Sequence, residues 1–181
     1  MVDRTRRGRA GERALPQNLY QYRQLETRNS VRMVEVLPGA PDEAIRIVLH
    51  YDTIAQMSTC VAVSYEWGGT AREHEIFCEG KRLLVTSNLH NLLKELRRSG
   101  DETFFWIDAI SINQEDVEER EHQVQLMRNI YRNASHVMLW LGEADSFTEH
   151  SFQVIPVLAQ EWDSLTQRET IIRGYGGLGQ F

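Results

Sequence analysis

An α/β domain, a parallel sheet with helices on its faces, is the fold class this sequence predicts, and three observations carry it. Short apolar runs of strand length recur at Cys60-Val-Ala-Val-Ser-Tyr65, Thr103-Phe-Phe-Trp-Ile-Asp108 and His136-Val-Met-Leu-Trp-Leu141. They read as near-continuous apolar segments, the pattern of strands covered on both faces. Stretches with helical spacing follow each of them, and the order strand–helix–strand–helix–strand–helix calls for parallel pairing through right-handed crossovers.

The elements follow in order. Residues 1–18 form an Arg/Gly-rich tail, with Arg4, Arg6, Arg7, Arg9 and Arg13 crowded near its start and no apolar periodicity. A solvated, disordered arm is the plain reading. A targeting or acidic-surface-binding arm is the sharper one, against which Asp3, Glu12 and the lack of an amphipathic pattern count. Val31-Arg-Met-Val-Glu-Val-Leu37 alternates with a period of two, Pro38-Gly39-Ala40-Pro41-Asp42 breaks it, and Ile45 to Tyr51 reads as a second strand. These extra N-terminal strands suggest a hairpin or an edge pair.

The Cys60–Tyr65 run ends at Glu66-Trp67-Gly68-Gly69, as a central strand opening into a glycine turn does. Glu75 to Val85 holds Glu79-Gly80 between two short apolar stretches and reads as an inserted hairpin. Thr86 or Ser87 caps a helix whose Leu89, Leu92, Leu93 and Leu96 make one stripe, and Gly100 stops it. After the Phe104–Asp108 strand, Ile110 to Gln114 is predicted to be a loop. Asp116 then caps a helix with Glu119 three residues on, its apolar face formed by Val124, Met127, Ile130, Tyr131 and Ala134. A last helix is expected from about Glu149 to Glu161, with Pro156 forcing a kink or a stop. The domain proper is expected over 19–165, with a flexible C-terminal tail over 166–181.

Composition narrows the function. A chain of 181 residues is one domain's worth, and 41% hydrophobic with 25% charged residues is the balance of a soluble globular protein. The formal charge of −6 counts against nucleic acid as the main partner, because phosphate binding needs a clustered positive field. No apolar run approaches the ~18 residues of a membrane span, and there is no signal-peptide core. Cys60 and Cys78 stand in no metal-ligand spacing and read as buried free thiols of a reducing compartment, which points to the cytoplasm. His74, His90, His122, His136 and His150 are scattered, so no metal centre is expected.

In an open parallel sheet, ligands bind at the carboxyl ends of the strands. Those ends carry Ser64-Tyr65-Glu66-Trp67-Gly68, then Asp108 with Asn113-Gln114, then Trp140-Leu141-Gly142. Together they offer aromatic faces, glycine amides and carboxylates, materials suited to a ribose, a base and a phosphate. Each also has a structural reading. Trp67 can cap the core, and Gly68-Gly69 can be a turn, since it matches neither a P-loop nor a dinucleotide fingerprint. Asp108, Asn113 and Gln114 can hold the loop through side-chain-to-backbone bonds.

The motifs Ser64-Tyr65-x-Trp67-Gly68, Val85-Thr86-x-Asn88-Leu89 and Trp106-Ile-Asp-Ala-Ile-Ser-Ile-Asn-Gln114, running on to Trp140-Leu-Gly142, resemble those of fungal HET (heterokaryon incompatibility) domains. The likeness covers roughly residues 31–160. Ser111 departs from it, standing where that family usually has Cys. The resemblance implies a role in allorecognition and programmed cell death, with the domain as effector under an upstream sensor. A chain of this length leaves no room for that sensor, so a stand-alone small protein or an excised domain is expected.

HET domains are in turn similar to Toll/interleukin receptor (TIR) domains, some of which cleave NAD. That likeness implies a flavodoxin-like parallel sheet, no prosthetic group, NAD(P)+ as substrate and self-association, with Asn113 to Glu119 in place of the loop that governs TIR assembly. It also implies a glutamate on the helix after the third strand, for which Glu149 is the preferred match, ahead of Glu161 and Glu143. Glu149 and Asp108 are thus the candidate catalytic residues. Ser64, Tyr65, Trp67, Gly68, Asn113 and Gln114 are the candidates for binding the nucleotide. The alternative is a non-catalytic module that oligomerises and recruits death partners.

Overall fold

The computed structural model describes residues 18–100 and 103–142. Seven strands form one sheet: β1 (Ser30–Val36), β2 (Arg46–Thr53), β3 (Cys60–Tyr65), β4 (His74–Cys78), β5 (Lys81–Val85), β6 (Phe104–Ile107) and β7 (His136–Trp140). Their order across the sheet is β5-β4-β2-β1-β6-β3-β7. The helices are α1 (Ser87–Ser99), α2 (Asp108–Ser111) and α3 (Val117–Asn133), and a 3-10 turn spans Ile54–Thr59.

The expected parallel sheet is present only in part. β3 pairs in parallel with β6 on one side and with β7 on the other. The sheet as a whole is mixed, because β1 runs antiparallel to both β6 and β2. The cause lies in connection length. The short Pro/Gly-containing turn after β1 permits only an antiparallel return, whereas parallel pairing needs a crossover of a dozen or more residues. The N-terminal strands form the expected hairpin but not an edge pair: β1 sits mid-sheet and is buried from Ser30 to Val34. The β4–β5 hairpin turns through Glu79 (φ 50°) and Gly80 (φ 77°), two successive positive φ values of the turn type that matches strand twist. It joins the sheet through a parallel pairing of β4 with β2.

Each face of the sheet carries its own core. On one face Leu89, Leu92, Leu93 and Leu96 of α1 pack on Val34, Val61, Val63, Phe105 and Ile107. Thr86 caps α1 by accepting from the Leu89 amide at 3.4 Å, and Gly100 ends it in the left-handed conformation. On the other face Ile130 of α3 and Met57 of the 3-10 turn close over Val31, Met33 and Trp106. Helices on opposite faces are what right-handed crossovers require when the chain reverses direction across the sheet, from β3 to β6 and then back past β3 to β7.

Two further expectations are corrected. Asp108 to Ser111 forms a helical turn where a loop was predicted from Ile110, with the Ile112 amide donating to the Asp108 carbonyl at 3.2 Å. Burial of Ile110 and Ile112 in the two separate cores drives it. On α3, Asp116 caps as expected, but Val124 is 54% exposed. Gln123 takes the inward position one turn ahead of Met127, and its Nε2 donates to the Ser30 carbonyl at 3.0 Å. The expected helix from Glu149 and the expected C-terminal tail over 166–181 lie outside the described residues, as does the expected N-terminal tail up to residue 17.

Cys60 and Cys78 are buried free thiols. Burial pushes each thiol from 9.0 up to about 12. A folded value above the unfolded one means stability is whole below pH 9 and falls as pH rises toward 12, by at most about 1.4 kcal/mol per pH unit for each thiol. The native chain at pH 8 is therefore expected to resist an aromatic disulfide reagent and to release two equivalents of colour only in denaturant. Rapid labelling of the folded protein would contradict this.

Candidate functional site

The three parallel strands β6, β3 and β7 deliver their carboxyl ends to one edge of the sheet, with β3 at the point where the chain reverses direction. That is the place where open α/β sheets leave a crevice. Strand alternation divides the residues there. Tyr65 shares the α1 face with Val61 and Val63, whereas Ser64 points to the other face, beside the Tyr131 hydroxyl.

Beyond β3 the backbone turns through Gly68 at φ 72°, where an added Cβ would stand 3.3 Å from Cβ of Asn88 on α1. Asn88 ties the edge together. Its Nδ2 donates to the Glu66 carbonyl, and its Oδ1 accepts from Trp140 Nε1 at 3.1 Å. Trp67, 38% exposed, donates its indole N–H to both oxygens of Asp108 at 3.2 and 3.1 Å. Burial raises the Asp108 carboxyl above its ordinary value, while the bonds from Trp67 and the Ala109 amide work in the opposite direction.

Asn113 and Gln114 follow α2. The Asn113 amide donates to Glu119 Oε1 at 2.7 Å, and Gln114 Nε2 donates to the Asp108 carbonyl at 2.9 Å. Arg120 Nη1 in turn donates to the Gln114 carbonyl at 2.8 Å. Ser111 is fully buried and accepts the Ile107 amide at 3.1 Å, so the hydroxyl at this position serves the turn itself.

These elements enclose a cavity of about 450 Å³, within the range of small-molecule sites. Tyr65, Trp67, Asn113 and Gln114 line it, joined by Tyr22 and Arg72. Of the sequence-derived candidates, Ser64, Gly68 and Asp108 do not line it: Ser64 faces away, Gly68 forms the turn, and Asp108 stands behind Trp67. Glu149 lies outside the described residues. Among the described residues no three His, Cys, Asp or Glu side chains gather as a metal site, and no helix is long and apolar enough to cross a membrane.

Sequence reasoning missed Arg32. It is fully buried, and its Nη1 and Nη2 reach Glu119 Oε1 and Oε2 at 2.5 and 2.9 Å. The same nitrogens donate to the carbonyls of Ser111 and Arg23 at 3.1 and 2.6 Å. The rings of Tyr22 and Tyr51 lie 5.0 and 5.3 Å from its guanidinium carbon. The available signal was an arginine inside a strand of apolar residues, which demands a buried partner.

The mixed α/β sheet with a cavity at its switch point defines an α/β class of domain, and comparison with known proteins narrows it. The heterokaryon incompatibility protein (HET) family matches residues 61–173, and the chain belongs to that family. It is 30% identical over 162 residues to heterokaryon incompatibility protein 6, OR allele, of Neurospora crassa, covering 80% of this chain and 24% of that protein. The chain thus spans about a quarter of its relative's length. No solved structure matches it.

Proposed function

We propose that this domain is a cytoplasmic effector of fungal heterokaryon incompatibility that triggers cell death by hydrolysing the nicotinamide–ribose bond of NAD(P)+ when it self-associates under an upstream sensor. The observation that carries the reading is the cavity at the β3 switch point, where Tyr65, Trp67, Asn113 and Gln114 meet. Its family membership supplies the biological role. The β6-β3-β7 order, second–first–third in the chain, supports the likeness to TIR domains that supplies the chemistry.

In the reaction the bond between ribose C1′ and the nicotinamide nitrogen breaks, and its electron pair leaves with nicotinamide. Water adds to the electron-poor C1′ and releases a proton. Trp67 offers a stacking face, held by Asp108, which acts through the indole. Asn113 and Gln114 offer polar rim groups, and Glu149 is the carboxylate assigned to the ribose and its developing positive charge.

A second reading, a non-catalytic module that assembles and recruits death partners, is favoured by Val117 and Val124, 55% and 54% exposed on α3. Expression of variants in fungal hyphae separates the two. The catalytic reading expects cellular NAD+ to fall before death, and Glu149→Ala to abolish both. Full killing by Glu149→Ala, together with loss of killing in Val117→Glu, would establish the scaffold instead.

A further inference from the structure

The cavity walls differ in chemistry. Tyr20, Tyr22 and Trp67 supply aromatic surface, and Arg72 and Arg82 supply positive charge. Arg82 is committed elsewhere, its Nε bonded to Glu75 Oε2 at 2.5 Å and its backbone paired with Asn18 and Tyr20. Arg72 is held far more loosely. Its Nη1 stands 4.0 Å from Glu115 Oε1, and the Glu115 side chain is 88% exposed. An ion pair so long and so wet contributes little and is readily exchanged.

Two other groups border the same space. The Tyr65 hydroxyl is buried without a hydrogen-bond partner among the described residues, although its residue lines the cavity. The N-cap Thr86 and Leu89 in the first turn of α1, a helix thirteen residues long, belong to the wall, which brings the positive end of the helix dipole to it. The Arg72 charge acts on both Tyr22 and Tyr65, so it lies within electrostatic reach of both hydroxyls.

We infer that Arg72, the Tyr65 hydroxyl and the first turn of α1 form an anion subsite that takes the phosphates of a nucleotide whose base lies on the aromatic wall. The inference rests on reading the cavity as a nucleotide site, and not on the hydrolytic step. An arriving phosphate replaces Glu115 as the partner of Arg72, with the two-pronged geometry a guanidinium allows. It also supplies the acceptor that the Tyr65 hydroxyl otherwise lacks.

Titration calorimetry of the 181-residue chain with ADP, adenosine and inorganic pyrophosphate tests the subsite. ADP is expected to bind about tenfold or more tighter than adenosine. Arg72→Gln should bring ADP down to the level of adenosine, Arg72→Lys should recover part of the loss, and Arg46→Gln, which does not line this cavity, should leave ADP within about twofold. Tyr65→Phe should weaken ADP and spare adenosine. An ADP affinity unchanged in Arg72→Gln, or no ADP binding by the wild type, overturns the subsite. Pyrophosphate binding as tight as that of ADP overturns the nucleotide assignment. Arg72-dependent ADP binding without nicotinamide release from NAD+ upholds the subsite while the hydrolytic reading fails. NAD+ cleavage with ADP affinity indifferent to Arg72 is the reverse.

Discussion

Glu119→Ala is expected to destabilise the domain by about 3–5 kcal/mol, a large part of the stability of a domain this size. The Arg32 guanidinium is fully buried, the Glu119 side chain is 10% exposed, and two charge-assisted bonds join them. Removing the carboxylate leaves a cation that cannot shed its proton in a dry site, with the Ser111 and Arg23 carbonyls as its remaining acceptors. The Asn113 amide loses its acceptor as well, so the Asn113–Glu115 wall of the cavity should loosen together with the fold. Replacing both partners, Arg32→Met with Glu119→Leu, is expected to cost less than Glu119→Ala alone, because no charge remains unpaired. Urea denaturation with an unchanged slope is the measurement. A loss below about 1 kcal/mol for Glu119→Ala would show the pair to be dispensable.

Trp106→Ala carries the second large expectation, about 3–5 kcal/mol. Trp106 is fully buried at the centre of β6, in the core beneath α3, and its ring meets Tyr131 edge-on at 5.7 Å. The indole N–H has no hydrogen-bond partner among the described residues, so the cost is lost packing and a cavity, with no bond broken. Trp106→Phe should therefore lose much less, since a ring remains and the unpartnered donor is gone. Thermal melts of the two variants would decide it. Equal losses would mean that the core collapses around either change.

The parts of the fold that obey local rules were legible in the residues. Glu79-Gly80 marked the hairpin, Thr86 and Gly100 bounded α1, Asp116 capped α3, and three apolar runs marked the parallel strands. What escaped depended on partners distant in sequence. β1 alternates like a half-exposed edge strand, yet it lies mid-sheet, because the face carrying Arg32 is covered by Tyr22, Tyr51 and a carboxylate 87 residues away. Val124 and Gln123 are a similar case. Hydropathy favours the valine for the inner face, but the carbonyl of Ser30 needs a donor, and Gln123 supplies it.

The site was legible as a neighbourhood, not as a list of roles. Tyr65, Trp67, Asn113 and Gln114 do meet at one cavity. Ser64 parts from Tyr65 because adjacent strand residues face opposite ways, and Asp108 proves to be the acceptor that fixes Trp67. Arg72, in the turn between β3 and β4, drew no notice because nothing local distinguishes it from a solvated arginine.

The proposed cleavage of NAD+ at the β3 crevice is tested by measuring nicotinamide release from NAD+ with the purified chain over a range of protein concentrations. Nicotinamide and ADP-ribose are expected in equal amounts, with turnover per protomer that rises with concentration and a fall of about 100-fold or more in Glu149→Ala. An absence of nicotinamide at every concentration, with the protein folded, would contradict it.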